Sequence, residues 1–395
     1  MTLIRSLRST HFKSPLRSFT TTAQANATGS NFKKPLENKP PLYEILPTKR
    51  PFSRILFDLD SRHSYAKLYP VYESVYKSIS YDPTQDEPNI PKFITASDLM
   101  IMKKALETVR TSTRTTNLHL LGLENELLEK AAEYGNNDAV SLLAYEALMD
   151  DKRNSEDKAH AKKLISGLLE RNHPLTLKLS GDLCLKNEMY DQALDFYAKF
   201  LQVENDTFLA SEVYSSIGKI QFQRADLVSA RLNFEKAIRT GPIDKVATCH
   251  YYLGQIYSES DVWKSRYHLE LSASQGFLES FQALGFMELN LFGNVSKAQE
   301  WFKLGMELRD LDCLIGIFDC HVKLHNWKDG YRSWKQLQGN LDKDKLAHFE
   351  QSRQDSLNLV KLNYKPVAEK MKQLSSLANS DDTVNVEKNN DRWNL

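Results

Sequence analysis

The sequence holds only four cysteines in 395 residues, Cys184, Cys249, Cys313 and Cys320, and no Cys-x-x-Cys pair. That excludes a disulfide-built scaffold. Set among apolar neighbours, the four read as small buried hydrophobes of a reducing compartment. Apolar runs are short; Leu118–Leu123 is among the longest, far below the ~18 residues that span a bilayer. Any membrane contact is therefore expected to be peripheral. The motifs of common chemistry are missing as well: there is no Gly-rich phosphate loop, no Gly-x-Ser-x-Gly elbow and no Walker pattern.

The few catalytic-looking residues lead nowhere. His321 and His325 stand at i, i+4 beside Cys320, but Val322 occupies the place a zinc protease gives to glutamate, and no further ligands are spaced to help. Cys313 and Cys320 are two helical turns apart, about 10 Å, beyond disulfide reach. Asp58 and Asp60 flank Leu59 in an apolar run without a histidine partner, which suits a cap or salt bridge better than acid–base work. We expect no enzyme, no cofactor and no metal.

Acidic residues are absent from the first 36 positions, which carry six basic groups, Arg5, Arg8, Lys13, Arg17, Lys33 and Lys34. The net charge of +1 hides this asymmetry, since the remainder holds 46 basic against 51 acidic groups. A basic, hydroxylated start with a sparse apolar stripe (Leu3, Ile4, Leu7, Leu16) reads as an organellar transit peptide, with Arg17-Ser18-Phe19-Thr20 as the processing neighbourhood. Residues 1–40 are assigned to it and to a disordered segment ending at Pro40-Pro41. Residues 41–117 read as an N-terminal segment packing on a helical array that begins at 118. In that segment Ile55, Leu56, Phe57 and Leu59 are apolar enough to dock, a proline-bearing gap covers 82–91, and Ser97-Asp98 caps a helix to about Arg110.

What is present is periodicity. Ala144, Gly181, Gly218, Gly254, Gly285 and Gly316 recur every 30 to 37 residues, the signature of stacked helix–turn–helix repeats. In the clearest unit Gly218 is followed by Ala230, Phe234, Ala237 and Pro242, the small, small, aromatic, small and proline positions of a tetratricopeptide repeat. Glycine and alanine let paired helices approach, the aromatic fills the wedge and proline ends the second helix. Gly181, Tyr190, Ala193 and Tyr197 repeat the pattern. Gly254, Tyr257 and Ala273 continue it with a second helix read as short. Gly285 joins Ala298, Phe302 and Gly305, while Gly316 joins Gly330 and Trp334. Ala144 and Ala161 form the loosest unit, around a charged loop over 150–158. A second register, Ala131–Ala139 against Ser272–Ser280, places a helix-ending glycine at Gly135 and Gly276, as in SEL-like repeats.

The expected fold is therefore all-α: a right-handed α-solenoid of tetratricopeptide/SEL-like repeats over 118–340, with six helix pairs and disordered termini. A capping helix is expected within 341–372, running from Asp342 to about Leu362 with Leu346, Phe349, Ser356 and Leu359 as its stripe. Residues 373–395 read as a disordered tail.

Helical arrays of this period also bind RNA one base per repeat, so an organellar RNA-binding protein is the alternative. Residues 121–338 carry 25 basic against 32 acidic groups, which is unlike an RNA groove, and nucleic acid is not the expected partner. The groove lined by the first helix of each pair remains. In the register above Tyr145, Lys178, Lys219, Tyr251, Gln255, Gln282, Phe286 and Asn290 point toward it, a mixture suited to an extended peptide.

Beyond the period, several stretches resemble a family of fungal mitochondrial proteins. They are Leu46–Arg50, Arg54–Arg62, Leu127–Ala139, Arg171–Leu179, Leu284–Asn290 and Glu300–Glu307. The likeness runs in order over about 46–362 and includes non-repeat sequence, with longer ends here. That family comprises matrix-side factors for export of the C-terminal tail of cytochrome c oxidase subunit II. The resemblance implies a non-catalytic adaptor, peripheral on the matrix face of the mitochondrial inner membrane. It would bind the subunit II tail and help an Oxa-type insertase export and insert it during complex IV assembly.

Overall fold

A computed structural model describes residues 40–79, 88–150 and 153–364. The transit-peptide and tail assignments, and most of the gap expected over 82–91, lie outside these residues. Among the described residues the secondary structure is helical, with nineteen α-helices and no strand. The chain divides between Asn205 and Asp206 into two compact units.

In the first unit a short helix α1 (Leu42–Ile45) leads into α2 (Lys49–Asp58), α3 (Tyr65–Ser78), α4 (Ala96–Thr113), α5 (Leu118–Glu133), α6 (Asn137–Met149), α7 (Ser155–Leu169), α8 (Pro174–Lys186) and α9 (Tyr190–Val203). Helix α4 begins earlier than expected, because Thr95 rather than Ser97 is the cap. The Thr95 hydroxyl accepts from the Asp98 N–H while the Asp98 carboxylate accepts from the Thr95 N–H, a reciprocal capping box. Arg62 anchors the same carboxylate at 2.8 Å. Helices α4 and α5 pack as a pair, as do α6 with α7 and α8 with α9. Pairing thus starts before residue 118, inside the segment expected only to flank the array.

The core of this unit runs from Leu42 through Phe52, Tyr72, Met102 and Leu127 to Leu168. Its largest rings are wholly buried, Phe52 meeting Tyr72 edge-on at 5.7 Å; each such side chain stabilises the fold by about 1.5–3 kcal/mol. Of the expected docking residues Leu56 is buried and Ile55 and Leu59 half-buried against this core, but Phe57 is exposed. Successive residues of a helix diverge by 100°, so the run Ile55-Leu56-Phe57 cannot all face inward.

The second unit continues with α10 (Phe208–Gln223), α11 (Leu227–Thr240), α12 (Ala247–Tyr257), α13 (Val262–Ser274), α14 (Leu278–Asn290), α15 (Val295–Glu307), α16 (Leu311–Lys323) and α17 (Trp327–Asn340). These pack as four antiparallel pairs, α10/α11 through α16/α17. Helix α13 has 13 residues, the same as α15, so it is not short. The period is explained by contact: a Cβ on Gly218 would lie 2.7 Å from the Phe234 ring, and one on Gly254 would lie 2.7 Å from Leu269. Gly285 and Gly316 both face the single ring of Phe302. In the Gly254 pair Ser265 and Leu269 replace alanine and aromatic, and the Ser265 hydroxyl donates to the Gly254 carbonyl at 2.7 Å. Gly135 and Gly276 end their helices at φ +84° and +79°, with the Gly135 and Asn136 N–H groups donating back to Ala132 and Ala131. Glycine reaches that left-handed conformation without a Cβ clash.

The expected single cap is two helices, α18 (Lys343–Ser352) and α19 (Gln354–Asn363). Arg353 breaks the run and forks onto Asp319 of α16 at 2.9–3.1 Å. The break changes the helical phase. Phe349, Leu357 and Val360 are buried, and Leu359 is exposed.

Candidate functional site

Within each unit the first helices of successive pairs carry the residues expected to line a groove. In the first unit Tyr145 does not present an open surface. It is buried, its hydroxyl donates to the Thr176 carbonyl at 3.2 Å, and it also meets the Ser180 hydroxyl. Burial pushes its phenol up to about 12. Ser141 joins Thr176 at 2.7 Å, and His173 Nδ1 lies 3.0 Å from the Thr176 hydroxyl. Tyr145 therefore belongs to a polar seam fastening α6 to α8. Thr176 and Ser180, one turn apart on α8, and Ser141, one turn before Tyr145 on α6, were the signal for this seam. Lys178 is half-buried and holds Asp182 at 2.9 Å, while the Tyr197 hydroxyl donates to the other Asp182 oxygen at 2.8 Å. The aromatic in the wedge thus also orients a charged pair on the first helix.

The second unit offers a more open face. Tyr251 is half-buried, tilted against Phe277 at 5.1 Å and edge-on to Tyr252 at 5.6 Å. Its hydroxyl is hydrogen-bonded with Gln255, and burial, then the Glu279 charge, raise its pKa. Gln255 and Asn290 are exposed and Gln282 is half-buried. Gln282, Phe286 and Asn290 succeed one another at i, i+4 and i+8 and share one side of α14. Phe286 leans inward, edge-on to Phe302 at 5.0 Å. Lys219 is half-buried on α10, close enough for its charge to act on Cys249 of α12. The structure links Tyr251 of α12 to the start of α14 through Phe277, the residue just before that helix, and through the charge of Glu279 in its first turn, two residues the repeat register did not single out.

Chemically this face provides amide groups that donate and accept, aromatic edges and one cation. Those groups suit backbone hydrogen bonding and shallow apolar contact with an extended chain. Among the described residues no three His, Cys, Asp or Glu side chains are grouped to hold a metal. The four cysteines are free and buried; burial pushes the Cys320 thiol up to about 12 and raises that of Cys313. His321 is half-buried, with burial as the main cause lowering its pKa, and His325 is exposed in the turn after α16 at φ +54°. Among the described residues no helix is long and apolar enough to cross a membrane.

Paired helices with glycine opposite a ring define the class: an α-solenoid protein built from tetratricopeptide/SEL-like repeats. Likeness to known proteins then gives the family. The MSS2 N-terminal domain family matches residues 38–136. The mitochondrial protein MSS2 of Saccharomyces cerevisiae is 39% identical over 333 residues, 80% of this chain and 93% of that protein. The chain belongs to the MSS2 family of mitochondrial proteins. The family domain extends through α5, past the boundary expected at 118. Among solved structures, the type IV pilus biogenesis factor PilW aligns at 20% identity over 52% of this chain and 93% of its own, with TM-score 0.40. A Sel1 repeat protein from Oxalobacter formigenes aligns at 16% over 61% and 94%, with TM-score 0.39. Yeast Tom70 aligns at 12% over 91% and 82%, with TM-score 0.41.

Proposed function

We propose that the chain is a non-catalytic adaptor, peripheral on the matrix face of the mitochondrial inner membrane. It binds the C-terminal tail of cytochrome c oxidase subunit II and hands it to an Oxa-type insertase for export and insertion during complex IV assembly. The observation that carries this reading is the 39% identity to a mitochondrial relative over 93% of its length, which includes sequence outside the repeats. The open face of α12 and α14, with Tyr251, Gln255, Gln282 and Asn290, is the surface that takes the tail. Lys219 adds a positive charge on α10, suited to a carboxylate of the client.

Deleting the gene should leave subunit II synthesised but its tail protected from protease in mitoplasts. Normal tail export in the null strain would overturn the proposal. A Lys219→Glu/Tyr251→Ala double variant should abolish co-purification of subunit II from mitochondria while the protein itself still accumulates. Crosslinking that enriches one transcript instead of subunit II would point to RNA.

A further inference from the structure

Phe57 is the most exposed large hydrophobic side chain among the described residues, at 82%, although Phe52, Ile55 and Leu56 of the same helix α2 face the core. No other ring lies against it among the described residues. With about 3.6 residues per turn, Phe57 shares an arc of about 140° with Lys49, Arg50 and Arg54. All three cations are exposed, and among the described residues their charged groups have no hydrogen-bond or ion-pair partner. Asp58, one turn beyond Arg54, forms no ion pair with it. The charge balance is also local: residues 40–79 carry six basic and four acidic groups, against 25 and 32 over 121–338.

Folding does not account for this face. Its ring gains nothing from the core, and its cations stand against the helix dipole. Lys49 and Arg50 lie in the first turn, which has no acidic residue, and Asp58 is the last residue of the helix; the dipole favours the reverse order. An apolar ring set among cations on long flexible stems matches the chemistry of an anionic bilayer surface. There the ring enters the acyl boundary while the stems carry their charges to the headgroup phosphates. A fluid apolar phase accepts a lone projecting ring without a pocket shaped to it. A face that stacks single-stranded RNA presents successive rings, and this arc has one.

We propose that this face of α2 docks the protein on an anionic phospholipid surface. The helix lies in the plane of the interface, with Phe57 inserted and Lys49, Arg50 and Arg54 on lipid phosphates. The inference rests on the peripheral membrane placement proposed above, and names the face that meets the lipid.

The test floats the full-length protein with vesicles of phosphatidylcholine alone and of equal parts phosphatidylcholine and phosphatidylglycerol. Binding to the mixed vesicles that weakens with added salt is expected, with far less on phosphatidylcholine. Arg54→Gln should lower the partition coefficient about fivefold, and Lys49→Gln/Arg50→Gln/Arg54→Gln about a hundredfold. Phe57→Ser should lower it about tenfold. All four positions are exposed, so these variants retain the core. The six basic groups of residues 1–36 are the same in every variant, so the differences report α2. A nitrobenzoxadiazole label on Phe57→Cys, the four native cysteines being buried, should shift its emission to the blue on mixed vesicles. Variants that partition like the parent, or a label that does not shift on vesicle-bound protein, would overturn the docking face while leaving the membrane placement standing. Loss of poly(U) binding in these variants with vesicle binding intact would overturn it in favour of RNA. Absence of the protein from the membrane fraction of mitochondria would instead overturn the placement itself, and the docking face with it.

Discussion

Replacing Gly218 by alanine tests whether helix-pair contact, and not backbone propensity, explains the glycine period. The new Cβ would stand 2.7 and 2.8 Å from two carbons of the Phe234 ring. That ring is completely buried and stacks flat on Tyr252 at 5.2 Å, and Tyr252 is held from another side by Phe222 at 5.0 Å. It therefore has little room to swing away. Overpacking of this kind costs about 1–3 kcal/mol, while the helix gains about 0.5–1 kcal/mol when glycine becomes alanine. The net expectation is a loss of up to about 2.5 kcal/mol. Gly339 on α17 is the internal control, because a Cβ there meets nothing within 4 Å; alanine should stabilise by about 0.5–1 kcal/mol. Urea unfolding followed by far-UV circular dichroism would show midpoints moving in opposite directions. A Phe234→Leu background, which removes the ring, should shrink the cost at 218. If Gly218→Ala stabilises as much as Gly339→Ala, close packing does not explain the period.

Three further outcomes can be checked. With its folded pKa of about 9 far above the ordinary carboxylate value, Glu129 binds more protons folded than unfolded between those limits, so stability falls as pH rises through that window. Glu129→Gln should flatten that fall and raise stability at pH 7 by about 2–3 kcal/mol, measured as unfolding free energy against pH. His250 shows the opposite sign: burial, then His268 across a 3.0 Å Nδ1–Nδ1 contact, lower it to about 4. Unfolding there takes up a proton below the ordinary histidine value, so stability should drop as pH falls from about 6.5 toward 4. A His250→Gln variant should make that slope shallower, His268 and His321 retaining their own downward shifts. Arg353→Ala should cost about 1–2 kcal/mol and speed amide exchange in α18 and α19, with α10 and α11 unchanged.

Much of the architecture was legible because it depends on local chemistry. Gly218, Ala230 and Phe234 keep fixed offsets since one helix must pass close to the other and one ring must fill the gap. Gly135 and Gly276 are recognisable because ending a helix at positive φ favours glycine. Boundaries were less legible. Thr95 and Ser97 are both chemically able to cap α4, and the choice is made by Arg62, distant in sequence, holding Asp98. The cap divides into two helices at Arg353, whose guanidinium forks onto Asp319, a partner distant in sequence that no local pattern reveals. For the candidate site, helical spacing alone puts Gln282 and Asn290 on one side of α14. It could not foresee that Tyr145 would be taken up by Thr176 and Ser180, since hydroxyls can satisfy each other or remain available to a ligand.

By itself, then, the sequence determined that this chain forms repeated helix pairs: short-range spacing and the size of glycine, alanine and aromatic side chains suffice for that. Only the tertiary structure decided which polar side chains are consumed in packing and which stay open. It consumed Tyr145 in a seam, left Gln255 exposed and stranded Glu129 among like charges. Burial and partnership are relations between helices, and no residue carries them in its own stretch of chain.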